Sequence, residues 1–364
     1  MRYRGFLLIL TMVMPSWSMG AELPPILQGL GLREAAVASR DLPGWKPPSR
    51  VVVRNMFGQD IAAQLGRGVP GVEFVGVTSV AEASSAVAGA QVLIGLCDQQ
   101  VFAAADELLW VQSYWAGVEN CVSLPAMQAG GLVLTNGQRL SGPTIAEHTL
   151  AMMFSLVRGL PGYSQSQSQG KWQPHYGAVM GELSGRTLLV VGLGGIGTQL
   201  AQRAHALGMR VIATRGSRRE GPDYVEYVGL ATEALELSRR ADFVVNAAPL
   251  TAQTRGMFNA DFFEAMKPTA YFVSVGRGQS TVTADLVAAL EKKQIAGAAL
   301  DVVEPEPLPP GHVLWNTAGV IITPHVAAQS QESRQRVAAL VAENLRRYVS
   351  GEPLLSVVDV KRGY

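Results

Sequence analysis

VVGLGGIGTQLAQRAHALGMRVIATRGSRR, residues 190–219, contains three glycines in the spacing G-x-G-x-x-G, between a strand-like run and a helix-like run that stops at Gly208. In such a turn Gly192 permits the tight bend, Gly194 lets a pyrophosphate approach the backbone, and Gly197 lets the helix pack closely on the strand. The amide groups of the first helical turn then bind the phosphates. A glycine-rich turn without a ligand is the alternative, but the strand–turn–helix context favours a dinucleotide site.

The end of the second strand departs from the usual dinucleotide pattern. An acidic residue expected there would hold the adenosine ribose and repel a 2′-phosphate. The sequence has Arg215, Ser217 and Arg218 instead, within the run R-G-S-R-R. A solvated basic turn that binds nothing is the alternative, but the substitution falls at the position that decides cofactor preference. The sequence therefore predicts NADP as the cofactor, with NAD possible. The cofactor contacts predicted from these segments are Gly192, Gly194, Gly195, Ile196, Gly197, Arg215, Ser217 and Arg218.

Around this segment the chain alternates short apolar runs with segments of helical length, which is typical of a parallel sheet covered on both faces. The strands expected in the first half are 50–55, 71–77, 90–96, 108–113 and 131–137. Those expected in the second half are 187–191, 210–214, 243–247, 271–275, 298–302 and 320–323. We therefore predict an α/β protein with two doubly wound parallel sheets.

The chain order predicts how these two sheets are divided into domains. We expect a dinucleotide-binding domain at 151–327, inserted into a substrate domain made of 50–150 and 328–364. Long helices are expected at 144–160 and at 330–351. Residues 22–49 are proline-rich and predicted to be irregular.

The first 21 residues resemble a secretory leader. Arg2 and Arg4 precede an apolar run from Phe6 to Met14, and small residues stand before Ala21. The run is too short to span a bilayer, which needs about 20 apolar residues. We expect export to the periplasm or the medium, and a cytoplasmic location if the leader does not function.

Composition excludes several other functions. The 364 residues are 48% hydrophobic with a formal net charge of +1, which does not favour nucleic acid or an anionic membrane as a partner. Cys97 and Cys121 are too few for a zinc cluster. They could pair in an oxidising compartment, but we predict two buried free thiols.

Three polar residues follow predicted strands, at the sheet edge where α/β proteins bind ligands. Arg277 follows AYFVSVG, Glu306 follows ALDVVEP, and His325 follows VIITP. Each also has a structural interpretation: a turn cap, a solvated loop carboxylate and a core histidine. Together the three indicate chemistry at this edge.

The ordered motifs VGRG, LDVVEPEPLP and TPHVAAQS resemble those of the D-isomer-specific 2-hydroxyacid dehydrogenase family, especially its glyoxylate/hydroxypyruvate reductases. VQSYWAGVE (111–119), TIAEHTLAMMFSLVR (144–158) and APLTAQTRGMF (248–258) agree. The resemblance implies a Rossmann domain inserted into a flavodoxin-like domain and a two-fold dimer formed through 144–160 and the arm around Trp172. The sequence departs from the family pattern at Val303 and Ser274, and we interpret both differences as packing changes. Export is a further departure, because free nicotinamide cofactor is not expected outside the cytoplasm.

The resemblance also assigns roles to particular residues. Arg277, Glu306 and His325 would be catalytic, and Arg277 would also bind substrate with the loop Trp115, Ala116 and Gly117. Pro249, Thr254 and Asp301 would contact the cofactor, Asp301 at the nicotinamide carboxamide. His148, His175, His205 and His312 lie outside these assignments and are predicted to be structural or solvated.

These residue types suit the reduction of a 2-oxo acid. An imidazolium donates a proton near neutral pH, and a neighbouring carboxylate favours its charged form. Arginine offers a planar fork to a carboxylate, and the nicotinamide supplies the hydride, so that no metal is required.

Other functions stay open at this point. A nucleotide-binding protein without turnover would be expected to lack part of the catalytic set. Formate and phosphite dehydrogenases of the family carry further active-site groups that this sequence lacks. A 3-phosphoglycerate dehydrogenase often adds a C-terminal domain beyond the point where this sequence stops.

Overall fold

The computed structural model describes residues 22–56, 58–174 and 180–363. These residues form two compact units, and the structure of each is given separately. The split unit contains 22–28, 33–136 and 338–362, and the central unit contains 29–32 and 137–337 together with residue 363. The predicted leader at 1–21 and the predicted structural or solvated His175 lie outside the described residues.

Strands, helices and short 3-10 turns alternate along both units. The strands are β1 (Glu34–Ala38), β2 (Arg50–Arg54), β3 (Glu73–Val77), β4 (Val92–Ile94), β5 (Trp110–Gln112), β6 (Val133–Thr135), β7 (Thr187–Val191), β8 (Arg210–Arg215), β9 (Tyr227–Leu230), β10 (Phe243–Asn246), β11 (Tyr271–Ser274), β12 (Gly297–Leu300), β13 (Val320–Ile322) and β14 (Pro353–Leu355). The α-helices are α1 (Ile61–Gly66), α2 (Val80–Ala86), α3 (Gln99–Ala104), α4 (Glu119–Val122), α5 (Pro125–Gln128), α6 (Gly142–Val157), α7 (Leu160–Ser168), α8 (Gly195–Ala206), α9 (Ala234–Ser238), α10 (Ala260–Ala265), α11 (Thr283–Glu291) and α12 (Gln331–Val349). The 3-10 turns are Pro25–Leu27, Ser39–Asp41, Ala231–Glu233, Gly278–Ser280 and Val313–Asn316.

The central unit is a doubly wound sheet of seven parallel strands in the order β13-β12-β11-β10-β7-β8-β9. One apolar core lies on each face, which explains why the inner strands show no alternation of apolar and polar residues. The predicted α/β class with parallel sheets is confirmed. The seventh strand, β9, was missed because its four residues include a glycine and an exposed tyrosine.

The split unit contains a parallel sheet in the order β3-β2-β4-β5-β6 and a two-stranded antiparallel sheet, β1-β14. The prediction of an irregular 22–49 segment is therefore wrong at β1, which gains its partner only from the other end of the chain. Helix α12 is anchored in this unit: Asn344 donates to Gln112 (2.9 Å), and Tyr348 stacks on Trp110.

The boundary predicted at 150/151 falls within helix α6, and the packing of α6 places the whole helix in the central unit. A Cβ atom on Gly142 would lie 2.7 Å from the carbonyl oxygen of Gly195 at the start of α8. The two helices therefore approach each other at backbone distance, and the division between units precedes α6.

The two cysteines form a disulfide, so the prediction of free thiols is wrong. Cys97 and Cys121 have Cα atoms 5.2 Å apart and are separated by 24 positions in the chain. Sequence spacing could not decide this, because pairing depends on where the two loops meet in space. A disulfide that closes a loop of this size typically stabilises a fold by about 2–4 kcal/mol.

In the described part of the chain, no helix is both long and apolar enough to cross a bilayer. The same part holds no group of three or more His, Cys, Asp or Glu residues arranged to bind a metal ion.

Candidate active site

The three strands at one side of the central sheet carry the polar residues singled out from the sequence. Arg277 follows β11, Asp301 follows β12 directly, and His325 follows β13. Because these strands are parallel neighbours, the three residues come from the same carboxyl edge of the sheet.

His325 is paired with Glu306. The imidazole Nδ1 lies 2.5 Å from Glu306 Oε1, and the two side chains are 47% and 37% exposed. An ionised carboxylate only accepts, so Nδ1 carries the hydrogen of this contact and Nε2 is left to exchange a proton with a substrate. The geometry selects Glu306, rather than Glu304, as the partner of His325.

The backbone of His325 is held in an uncommon conformation. Its φ of 53° lies in the left-handed region, which costs a non-glycine residue about 1–2 kcal/mol. The amide of His325 donates to the carbonyl oxygen of Asp301 (2.9 Å). The Asp301 carboxylate accepts from Val326 N (2.9 Å), Ala327 N (3.0 Å) and Thr323 Oγ1 (2.6 Å). These bonds fix the loop that presents the imidazole.

Asp301 is only 3% exposed, and its carboxylate serves the His325 loop. Oδ1 accepts two of the three hydrogen bonds and Oδ2 accepts one, so Oδ2 can take one more donor. The predicted contact of Asp301 with a nicotinamide carboxamide fits that remaining acceptor and stays a prediction.

His148, which we expected to be structural or solvated, belongs to the Asp301 network. Its Nε2 lies 3.0 Å from Thr323 Oγ1 and 3.7 Å from Asp301 Oδ1. Thr323 gives its only hydroxyl hydrogen to the carboxylate, so it accepts from His148 Nε2–H. Helix α6 thus contacts the loop that carries His325 through one side chain. The available signal in the sequence was a histidine on a largely apolar helix.

Arg277 begins a 3-10 turn that packs on the segment leading to Glu306. A Cβ atom on Gly278 would lie 1.8 Å from the Val303 carbonyl oxygen, so only glycine allows this approach. The Arg277 carbonyl accepts from Ser280 Oγ (2.6 Å), and its guanidinium donates to the Gly276 carbonyl (3.0 Å). The turn is therefore braced against the same loop that carries the acid–base partner.

A buried asparagine side chain, which sequence reasoning missed, forms hydrogen bonds with this turn. Asn246 at the end of β10 donates to Ser280 Oγ (2.7 Å) and to Ser274 Oγ (3.0 Å). Ser274 is thus part of a polar contact between strands. Val303 packs against the apolar core, as expected for a packing change.

The glycine turn has the shape that a pyrophosphate requires. Gly192 has a φ of 101°, and a Cβ atom there would lie 2.8 Å from the backbone of Ala248. A Cβ atom on Gly197 would lie 2.2 Å from the Gly192 carbonyl oxygen, whereas Gly194 faces open space. Gly195 and Ile196 begin α8, whose N-terminal amides point to that space. These residues fit a dinucleotide cofactor.

The segment after β10 is arranged as a turn. The Thr254 hydroxyl donates to the Pro249 carbonyl (2.7 Å) and accepts from the Thr251 amide (2.8 Å). The hydroxyl thus shapes the backbone, and the predicted cofactor contacts of Pro249 and Thr254 stay predictions.

The three arginines at and after the end of β8 have different surroundings. Arg219 is engaged by Glu233 (2.8 Å) and by Tyr227 Oη (3.0 Å). Hydrogen bonds from Tyr227, the Leu230 amide and Arg219 lower the pKa of Glu233 to about 2, so this anchor is ionised at neutral pH. Arg215 is half-buried at the end of the strand, while Ser217 and Arg218 are exposed. Arg218 forms no ion pair within the described part of the chain.

The Trp115–Ala116–Gly117 loop belongs to the split unit. The Trp115 amide donates to Ser113 Oγ (3.1 Å), and Asn136 Nδ2 donates to the Ala116 carbonyl (2.7 Å). The Trp115 amide is thus engaged within the loop, and the predicted substrate contacts of Trp115, Ala116 and Gly117 stay predictions. Among the described hydrogen bonds, the amides of Ala116 and Gly117 have no acceptor.

The remaining histidines do not join the site. His312 Nδ1 accepts from the Leu314 amide (3.2 Å), and His205 packs beside Tyr224. These contacts agree with structural roles.

Comparisons with known proteins agree with this geometry. A family model for the NAD binding domain of D-isomer specific 2-hydroxyacid dehydrogenases matches residues 150–327. The glyoxylate reductase of Korarchaeum cryptofilum (strain OPF8) is 35% identical over 259 residues, which cover 70% of this chain and 77% of that protein. The D-3-phosphoglycerate dehydrogenase of Synechocystis sp. is 34% identical over 263 residues, 72% of this chain but 47% of that protein.

Among solved structures, the NADPH-dependent glyoxylate/hydroxypyruvate reductase of Sinorhizobium meliloti in complex with NADP and sulfate superposes with a TM-score of 0.75. It is 28% identical, and the match covers 87% of this chain and 100% of that one. A glycine turn and a histidine–carboxylate pair on one parallel sheet are typical of a dinucleotide-dependent oxidoreductase. The chain belongs to the D-isomer specific 2-hydroxyacid dehydrogenase family and is an NAD(P)-dependent enzyme.

Replacing His325 by asparagine should remove the proton donor while the loop bonds made by Asp301 keep the fold. We expect turnover to fall by about 10² to 10⁴ while the affinity for cofactor is retained. Steady-state kinetics and a fluorescence titration of cofactor provide the measurement. His205→Asn, on an exposed position of α8, is the matched control and should leave turnover unchanged. Normal turnover in His325→Asn would contradict the assignment.

Proposed function

We propose that this enzyme reduces small 2-oxo acids of the glyoxylate or hydroxypyruvate type to D-2-hydroxy acids, with NADPH as the preferred cofactor. The observation that carries the proposal is the 2.5 Å His325–Glu306 pair, on a loop braced by Asp301 and beside the turn that carries Arg277. The acid, its partner and a carboxylate clamp are thus all retained.

Each residue has a separate task in this proposal. His325 donates a proton from Nε2 to the carbonyl oxygen of the oxo acid, and Glu306 orients the ring and favours its charged form. Arg277 offers its fork to the substrate carboxylate. In the split unit, the amides of Ala116 and Gly117 are the neutral donors that we assign to the substrate. NADPH, when bound, supplies the hydride.

A second candidate has support from the comparisons. The D-3-phosphoglycerate dehydrogenase of Synechocystis is almost as similar as the glyoxylate reductase of Korarchaeum. A phosphorylated substrate would need a further cationic contact besides Arg277, since the phosphate carries charge in addition to the carboxylate. We favour the smaller substrates because the residues assigned to substrate include one arginine.

The two candidates differ in a direct assay. The purified enzyme should reduce glyoxylate or hydroxypyruvate with a higher kcat/KM than 3-phosphohydroxypyruvate or pyruvate, because the single arginine fork of Arg277 matches one carboxylate. Initial rates with NADPH and with NADH measure this preference. A higher kcat/KM for the phosphorylated acid would favour the second candidate. Turnover of none of the four acids would overturn the proposal.

The preference for NADPH is supported by the arginines after β8. Arg215 and Arg218 stand where an acidic residue would repel a 2′-phosphate, and Ser217 adds a hydroxyl donor. Arg219 is held by Glu233, which makes it part of the scaffold of this turn. The solved relative from Sinorhizobium meliloti contains NADP.

Exchanging two of these arginines should reverse the preference. In Arg215→Asp with Arg218→Ala, the KM for NADPH should rise by about 10²-fold, because each lost charge-assisted hydrogen bond is worth about 1.5–3 kcal/mol before solvent screening. The KM for NADH should fall, and kcat at saturating cofactor should hardly change. Arg210→Ala, at the exposed amino end of the same strand, is the matched control and should leave the ratio of the two KM values unchanged. A wild-type enzyme that uses NADH as efficiently as NADPH would refute this prediction.

We also propose that the enzyme forms a two-fold dimer through the region around α6. The described surface there exposes several large apolar side chains, which a second copy would cover. They are Phe154 (38%), Leu160 (49%), Trp172 (99%), Met180 (39%) and Leu207 (39%). Isolated apolar residues are normal on surfaces, but a group of this kind is typical of an interface.

Light scattering coupled to size exclusion should give about twice the monomer mass of 38.7 kDa at micromolar concentration. Phe154→Glu with Leu207→Glu should shift the mass to that of the monomer, because two buried carboxylates would oppose association. Leu235→Glu, at an exposed position on α9, is the control. A wild-type monomer would disprove the dimer.

Export by residues 1–21 remains a proposal. The Cys97–Cys121 disulfide supports it, because such bonds persist mainly in oxidising compartments. An exported enzyme of this kind would have to bind its cofactor before it leaves the cytoplasm.

A further inference from the structure

The disulfide joins two loops at the carboxyl edge of the sheet in the split unit. Cys97 lies between β4 and the start of α3, and Cys121 lies within α4. Strands β4 and β5 are neighbours, so both loops rise from the same part of the sheet. The loop Trp115–Gly117 lies in the connection between the end of β5 and the start of α4. The crosslink is therefore attached at the exit of the loop whose amides are proposed to bind substrate.

The entrance of this loop is fixed by non-covalent contacts. Tyr114 Oη donates to the Arg54 carbonyl (2.9 Å), and burial raises the pKa of Tyr114, which keeps the phenol a donor. The Tyr114 ring lies against Gly95, where a Cβ atom would be 2.3 Å from the ring. Asn136 holds the Ala116 carbonyl from the neighbouring strand end.

At the exit of the loop, the helix is short and adds few hydrogen bonds of its own. Helix α4 has four residues, and its N-cap, Val118, offers no side-chain cap. A helix of this length is not stable by itself, because nucleation is unfavourable and few hydrogen bonds follow. The disulfide between Cys121 and Cys97 adds a covalent link to this short helix.

We propose that the Cys97–Cys121 disulfide is a positioning crosslink, which presets the Ala116 and Gly117 amides for the carboxylate of the substrate. This inference rests on the proposed function of the loop. In the oxidised enzyme the loop is ordered before substrate arrives. In the reduced enzyme its ordering must accompany binding, so the KM for the oxo acid rises.

Formation of the crosslink is a two-electron oxidation. The two thiols lose two protons and two electrons as the bond between their sulfur atoms forms, and the disulfide of an exchange partner takes these electrons and becomes a dithiol. Cys121 is 2% exposed and Cys97 is half-buried, so exchange occurs at the Cys97 sulfur. The substrate affinity of the enzyme thereby depends on the redox state of its compartment.

The test is the double variant Cys97→Ala with Cys121→Ala. We expect the KM for the preferred oxo acid to rise about tenfold, while the Kd for NADPH changes by less than about twofold, because the loop must now be ordered during binding. Wild-type enzyme reduced with dithiothreitol should behave like the variant. An unchanged KM in both would overturn the proposal.

A control separates loop positioning from general stability. Val52→Ala creates a cavity in the same core with the disulfide intact. If Val52→Ala raises the KM as much as the double cysteine variant does, the crosslink acts only through stability and the proposal fails. An unchanged KM in Val52→Ala, with a raised KM in the cysteine variant, supports it.

Hydrogen exchange tests the loop without any need for turnover. In the double cysteine variant, the amides of 115–122 should exchange faster than in wild type, while those of β2 and β4 stay protected; equal exchange would overturn the proposal. If the wild type reduces no 2-oxo acid, the proposed function fails, but this measurement still decides the role of the crosslink. Thiol titration of denatured enzyme from outside the cytoplasm should find no free thiol, and finding two would also overturn the proposal.

Discussion

The buried carboxylate of Asp301 is the interaction on which the active edge of the central sheet depends. A charge that is 3% exposed is tolerated only where donors satisfy it, and all three of its hydrogen bonds come from the segment that carries His325. The same bonds hold His325 in a left-handed conformation that a free loop would avoid. The position of the imidazole, and so its pairing with Glu306, follows from satisfying this one buried group.

Close backbone contacts impose a second constraint at the same edge. At Gly197 and Gly278, a single methyl group would collide with a carbonyl oxygen. One contact brings α8 onto β7 and shapes the phosphate turn; the other brings the Arg277 turn onto the loop before Glu306. The glycine turn and the loop before Glu306 are thus positioned by the same kind of contact, in which backbone packs against backbone.

In the split unit, the loop Trp115–Gly117 is held by different contacts. Its strands are short, and the helix after the Trp115 loop is a single turn, so local structure contributes little order. A tyrosine hydrogen bond, an asparagine hydrogen bond and a disulfide replace what a longer helix would supply. The redox sensitivity proposed for this loop has no counterpart in the central unit, whose described residues contain no cysteine.

The sequence by itself determined those features whose signal is local. Unalternated apolar runs predicted eleven of the strands, because a strand buried on both faces needs apolar residues throughout. The G-x-G-x-x-G spacing marked the turn, since glycine is required wherever a Cβ atom would collide. Arg277, Glu306 and His325 were singled out because they come after predicted strands, and the carboxyl ends of parallel strands lie at one edge of a sheet; their catalytic roles stay predictions.

Only the tertiary structure decided features that join distant parts of the chain. β1 was missed because its partner, β14, lies near the opposite end of the sequence. Other features likewise depend on which residues come close in space. They are the disulfide between Cys97 and Cys121, the contact of His148 with Thr323, and the ion pair that Arg219 forms with Glu233. Periodicity and spacing report which face of an element is buried. They do not report which side chain lies opposite, because that is set by how the elements pack.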